Sequence, residues 1–263
     1  QVISDIRYSV DTPSLEKAVN HPGGVGKIEF QAGPGYFGRF SAAYKPMPQF
    51  LLGFPSRGRV FITPTEDFMS VRVTPRLAYH ALFSHDSVYR AGSWTLSGSL
   101  TREVPDEDSS PEDHTAQQVS PATIFSAGLS RPLEEDGLYA TRIKFGFFKV
   151  DGGDARDKGD FAGDSSLFER RYQYLEAYSL GLTKSWRGVG RFPLDTGMRL
   201  VYDRIQNGGV ASFSVGMNFE PWLRVDLEAD FLGLFSGPAQ VTDGFLALYR
   251  ANDRVGVGVS YVY

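Results

Sequence analysis

The sequence predicts an all-β fold: a closed, antiparallel, up-and-down transmembrane β-barrel of about twelve strands. Three observations carry the expectation. Polarity alternates with a period of two along almost the whole chain, the period of a strand. The polar positions are rich in Gly and Ser as well as charge, and small residues suit a crowded barrel interior, whereas a solvent-facing surface favours bulkier Lys, Glu and Thr. Aromatic residues gather at the ends of the runs, at Trp94, Trp186, Phe219, Trp222, Tyr249 and Tyr263, as girdles at two water–lipid interfaces require. A soluble sandwich also alternates but turns its apolar side chains inward; a membrane barrel turns them outward.

The elements follow in order. "PSLEKAVN" (13–20), after Thr12–Pro13, reads as a short helix. Residues 27–44 read as one long strand bent at "GPG" (33–35), followed by a shorter run at 58–63 and a strand at 69–83. In 94–104, Trp94, Leu96, Leu100 and Val104 share one face, and Thr95, Ser97, Ser99, Thr101 and Glu103 the other. Further alternation marks 122–131, 138–149, 174–186, 197–205, 211–219, 223–231 and 242–250, and the chain closes on "RVGVGVSYVY" (254–263). Turn signals at 132–137, 206–209, 219–222 and 250–253 leave hairpin-sized gaps without room for crossover helices, so the strands pair antiparallel. Two acidic segments, 105–114 and 151–164, read as solvated loops. No linker divides the chain: residues 1–25 form an N-terminal periplasmic segment and 26–263 the barrel.

Composition removes several function classes. Apolar residues at 41% provide enough surface to exclude disorder, and a net charge of −4 gives no basic stripe for nucleic acid. With no cysteine there is no disulfide scaffold, thiolate zinc site or cysteine nucleophile. No apolar run reaches the length of a membrane helix. The start at Gln1 suits a mature form whose targeting segment has been removed. No cofactor is implied.

The last strand is apolar on one side, at Val255, Val257, Val259, Tyr261 and Tyr263, and nearly empty on the other, at Gly256, Gly258 and Ser260. Its "GVSYVY" resembles the C-terminal recognition signal of bacterial outer-membrane β-barrels, carried here by Gly258, Tyr261 and Tyr263, with Val257 where that signal often has a polar residue. The resemblance implies an integral outer-membrane location, contact with outer-membrane lipids and lipopolysaccharide, and a terminal strand read by the barrel-assembly machinery. Counting turns backward from a periplasmic C-terminus puts both long acidic loops on the periplasmic side as well, where such barrels usually keep short turns, so either one strand is miscounted or the large loops are presented inward to a partner.

With apolar faces toward lipid, the lumen is lined by Arg72, Arg76 and His80 on one strand, Arg142 and Lys144 on another, and Arg224, Asp226, Glu228 and Asp230 on a third. On a twelve-strand circle the acidic strand lies across from the two basic ones, a transverse field that orients charged solutes in a narrow pore. The same charges, paired with each other, would instead fill and rigidify a small lumen. The leading expectation is a channel for small charged or polar solutes. The second is a non-conducting barrel that holds periplasmic or surface proteins through acidic loops 105–121 and 151–171. The third is a lipid hydrolase. "SHDS" (84–87) places His85 and Ser87 at i, i+2 and resembles the His-x-Ser pair of outer-membrane phospholipases and lipid A deacylases, with Val88 where the phospholipase has Asn-Gly. Asp151, Asp154, Asp157, Asp160 and Asp164 are oxygen donors without EF-hand spacing and read as a solvated loop, not a metal site. "GPGYFGRFSAAYKPMP" (33–48) resembles, at Tyr36, Gly38, Tyr44, Pro46 and Pro48, the early segment of the MipA/OmpV family, outer-membrane barrels that scaffold murein-synthesis enzymes.

Overall fold

The computed structural model describes residues 5–10, 23–53, 59–62, 67–106, 117–135, 139–153, 155–157, 171–186, 192–220, 222–235, 245–249 and 252–261. The elements are β1 (Asp5–Val10), β2 (Gly24–Ala32), β3 (Tyr36–Gly53), β4 (Arg59–Ile62), β5 (Asp67–Ala91), β6 (Trp94–Pro105), β7 (Gln117–Val119), β8 (Ala122–Glu135), β9 (Tyr139–Gly152), β10 (Ala155–Asp157), β11 (Glu176–Trp186), β12 (Leu194–Asp203), β13 (Gly208–Glu220), β14 (Leu223–Leu234), α1 (Phe245–Tyr249) and β15 (Arg254–Tyr261).

Eleven strands form one antiparallel up-and-down sheet in the order β15-β14-β13-β12-β11-β9-β8-β6-β5-β3-β2. Each pairs with the next spanning strand in the chain, as sequential strands commonly do. Strands β3 and β5 run past one rim of this sheet, where β1 adds to β5 in parallel and β4 antiparallel; β7 and β10 pair separately. Strands β2 and β15 are the two edges, and among the described residues no pairing joins them.

Three elements differ from the sequence expectation. The "GPG" at 33–35 is a hairpin turn between β2 and β3, not a bend: Gly33 takes φ +67, which a glycine adopts without strain, and the Gly35 carbonyl accepts the Arg90 amide at 2.8 Å. The run at 58–63 yields four-residue β4, which lies off the eleven-strand path. The run at 242–250 contains helix α1, whose Leu246 is fully buried with its amide bonded to Gln206 Oε1 at 2.9 Å. The proposed helix at 13–20 lies outside the described residues.

The third difference reverses the loop assignment. Removing one strand near the C-terminus flips the side of every upstream connection. The turns at 33–35 and 92–93 share a rim with the end of β15, whereas the connections 106–121, 153–175, 204–207 and 235–253 all leave the opposite rim. The long acidic segments therefore connect strands at the rim away from the C-terminal residue.

Cross-strand partners share a face of the sheet. One face is apolar: Ile28, Phe40, His85, Leu100 and Phe125 lie on one register line, and Leu182, Met198, Phe213, Ala229 and Val255 on another. The other is polar: Arg39, Asp86, Ser99 and Ser126 on one line, Gly197, Ser214, Glu228 and Gly256 on another. Most large apolar side chains are exposed, among them Phe40, Phe83, Leu100, Phe145, Phe213, Leu227 and Phe231. The buried apolar cluster formed by Met47 and Ala78 is small and lies near the long-connection rim.

Candidate functional site: the polar face and its mouth

Paired charges hold most of the polar face. Arg39 binds Asp86 at 2.8 Å between β3 and β5, next to the Ser41–Ser84 hydroxyl pair at 2.6 Å. Arg224 reaches Asp195 on β12 and Asp226 on its own strand, each at 2.8 Å. Gly216 lies between those two carboxylates in register, and a side chain added there would fall 2.5 Å from Asp226 Oδ1, in the space the guanidinium uses. Arg254 binds Asp230 at 2.6 Å and approaches Glu228 at 3.9 Å. The acidic strand foreseen in the sequence is thus β14, and its carboxylates are tied to arginines.

Arg142 and Lys144 differ. Both are exposed on the polar side of β9, and among the described residues neither makes an ion pair or side-chain hydrogen bond. They line a cavity of about 200 Å³ together with Pro132, Glu134, Thr183 and Ser185, and the Glu134 carboxylate there is bound by Lys184 at 3.4 Å and by Thr141 at 3.2 Å. The basic strand β9 lies four strands along the sheet from acidic β14. Arg72 and Arg76 lie on the part of β5 that runs beyond the rim, opposite Ser9 of β1 and Leu51 of β3.

His80 is at the long-connection rim. Its Nδ1 meets Glu103 Oε1 at 2.5 Å, and both side chains are buried. Glu103 also accepts from Arg171 Nη2 at 2.8 Å and from Tyr172 Oη at 2.5 Å. From there the segment 171–175 runs along the polar face to β12. The Gln173 carbonyl accepts from Gln206 Nε2 at 2.7 Å, and the Leu175 amide donates to Asp203 Oδ2 at 2.6 Å. Asp203, fully buried, also accepts the amides of Glu176, Ile205 and Gln206. This strap was not foreseen: 174–186 reads as one alternating strand, and nothing local in "RYQYL" marks a partner far away in sequence. Its one legible signal is Glu103, the only carboxylate on the polar side of β6, where Thr95, Ser97, Ser99 and Thr101 precede it.

The apolar face carries aromatic residues at both ends. At the turn rim, Tyr139 meets Trp186 at 5.5 Å with Lys184 over both rings, Arg131 stacks on Trp94 at 5.1 Å, and Trp222 meets Tyr261 at 5.3 Å. At the long-connection rim, Tyr44 stacks on Tyr79 at 5.4 Å and Tyr202 meets Phe235 at 5.5 Å. Of the resemblance residues, Gly258 pairs with Asp226 in register and Tyr261 packs on Trp222; Tyr263 lies outside the described residues.

His85 and Ser87 share the apolar face. Phe40 stacks on the His85 ring at 4.4 Å, and the cross-strand neighbours of His85 are Phe40 and Leu100. His85 Nδ1 is buried without a hydrogen-bond partner, so nothing orients the ring as a base requires. Of the Asp series, Asp154, Asp160 and Asp164 lie outside the described residues, and among the described residues no group of three or more His, Asp or Glu converges. No protein-family model matches the chain, and no curated protein matches it.

Proposed function

We propose that the chain is a bacterial outer-membrane β-barrel acting as a narrow channel for small charged or polar solutes. One observation carries this reading: large apolar side chains are exposed on one face of the sheet between two aromatic belts, while the opposite face is lined with charge and hydroxyls. Tyr79 and Tyr89, on the two belts of β5, are ten residues apart in sequence. At about 3.4 Å per residue and a tilt near 40°, that separation is about 26 Å, close to the apolar band of a membrane barrel. Closure would satisfy the unpaired edges of β2 and β15, which lipid does not tolerate; with eleven alternating strands both run from the long-connection rim to the turn rim, so that closing pair would be parallel, unlike the antiparallel pairs of the rest of the sheet. The short turns then face the periplasm and the long connections the exterior, and β1, paired with β5 beyond the long-connection rim, lies on that exterior side, opposite to the periplasmic placement expected for residues 1–25. The apolar band contacts lipid and, on the outer side, lipopolysaccharide; β15 with Gly258 and Tyr261 presents itself to the assembly machinery.

The strap favours a second reading, a barrel closed at its outer mouth that holds a surface partner through its long connections. In either case the His85–Ser87 pair is not catalytic: Ser87→Ala is expected to leave any phospholipid turnover by the folded protein unchanged, measured as fatty-acid release from mixed micelles. The channel is tested by refolding the full chain in detergent, checking heat-dependent gel mobility and recording currents in a planar bilayer. Discrete conductance steps are expected. A heat-modifiable barrel that stays silent would transfer the argument to the second reading, and a chain that stays soluble without amphiphile would end both.

A further inference from the structure

The cross-strand register places Arg90, Ser130, Lys144, Arg199, Asp230 and Arg254 on one continuous line across the polar face, with Thr95, Gly181 and Ser212 at the positions between. The line runs perpendicular to the strands, so it shifts along each strand as it crosses the sheet. It starts at Arg90, one residue from the turn rim on β5, and ends at Arg254, the first residue of β15 at the opposite rim. It therefore climbs from one mouth to the other. At about 4.8 Å per strand, Arg90, Lys144 and Arg199 are spaced roughly 10–14 Å apart, and the line ends on Arg254, which is paired with Asp230.

The balance of partners along the polar face is uneven. Among the described residues its carboxylates are each held: Glu29 by Lys27, Asp86 by Arg39, Glu103 by Arg171, Asp195 and Asp226 by Arg224, Asp230 and Glu228 by Arg254. Asp203 is held by backbone amides. Arg90, Arg142, Lys144 and Arg199 make no ion pair among the described residues. Gly181 separates Lys144 from Arg199 in register and adds no side chain between the two cations. Arg142, one alternation along β9, joins Lys144 around the cavity that Thr183 and Ser185 complete with hydroxyl donors; the one carboxylate among the residues lining it, Glu134, is paired with Lys184 and leaves the two cations in excess.

We propose that this line is a track for small oxyanions, with a resting site at Arg142 and Lys144. A guanidinium fork beside an ammonium and two hydroxyls matches an anion's acceptor oxygens, and spaced sites of moderate strength permit release as well as capture. The assignment rests on the channel reading. It runs against the chain's own net charge of −4, which alone would favour cations.

The test uses the refolded full chain in a potassium chloride gradient. The reversal potential of the wild type should report chloride preference, and inorganic phosphate should reduce the chloride current. Arg142→Gln/Lys144→Gln should lower the chloride-to-potassium permeability ratio several-fold and abolish the phosphate effect, while Asp226→Asn should not. Heat-dependent gel mobility confirms that each variant folds. A cation-selective wild type, or an unchanged ratio in the double variant, overturns the track and leaves the channel standing. If the wild type does not conduct, the channel reading falls. Phosphate-dependent thermal stabilisation of the detergent-folded protein, lost in the double variant, then sustains the anion site, and its absence in the wild type overturns it.

Discussion

Glu103→Ala is expected to release the strap from the mouth. Glu103 is the common acceptor for His80, Arg171 and Tyr172 and is almost completely buried. Its removal leaves the Arg171 guanidinium buried, with the Gly153 carbonyl at 3.5 Å as its remaining hydrogen-bond acceptor. Breaking a buried pair by deleting one partner costs about 3–5 kcal/mol, because the other charge stays desolvated. The segment can avoid that cost by leaving the polar face. Trypsin should then cleave the folded protein after Arg171, where the wild type resists, and, if the proposed channel conducts, its single-channel conductance should rise. Glu103→Gln keeps an acceptor oxygen and should show a weaker form of both effects. A Glu103→Ala protein as resistant as the wild type, with equal conductance, would show that the strap is held from its other end alone.

That other end is independent in its chemistry. Asp203 binds backbone amides, so it holds the strap whatever side chains 173–175 carry, and Gln206 links Gln173 to Leu246 of α1. The five buried polar residues among the described ones, His80, Glu103, Glu176, Asp203 and Gln206, all lie at the long-connection rim. Polar burial concentrates where the chain folds over its own mouth, and the rest of the sheet buries few large side chains. That distribution fits a protein whose solvent on one face is lipid.

The parts of this architecture that the sequence revealed are those set by period. Strands β6, β8, β9, β11, β13 and β14 overlap their expected ranges because each alternates cleanly between two faces, and a one-residue slip would turn Phe213 and Phe231 inward. What was misread lacked such a constraint. Residues 242–250 carry apolar side chains in a run too short to tell a buried helical turn from a strand, and Leu246 settles it through a bond to a residue forty positions earlier. That one element also carried the error in loop orientation, since sidedness in an up-and-down sheet depends on counting every strand. The free cations were visible as residue types at 142 and 144, but their lack of partners was not. Pairing depends on cross-strand register, and Arg224 and Arg254 gather the acids of β14 from their own strand and their neighbours.

Phe213→Arg is expected to cost about 2–4 kcal/mol in a lipid bilayer, the penalty for arginine near the midplane of a barrel's outer face. Phe213 is in the middle of β13, exposed, with Met198 and Ala229 as its cross-strand partners and no charge beside it on that face. Tyr89→Arg, on the same face at the turn-rim belt, should cost about 0–1 kcal/mol, because the penalty falls toward the interface. The comparison is made by urea unfolding in vesicles, and its meaning lies in the depth dependence. An apolar face covered by another protein would penalise both positions, and one bathed in water would penalise neither, because exposed substitutions stay within about 0.5 kcal/mol. Only hydrocarbon between two polar interfaces produces a large cost at the centre and a small one at the belt. Equal costs at Phe213 and Tyr89 would therefore remove the membrane from the interpretation, and with it the channel, while leaving the eleven-strand sheet intact.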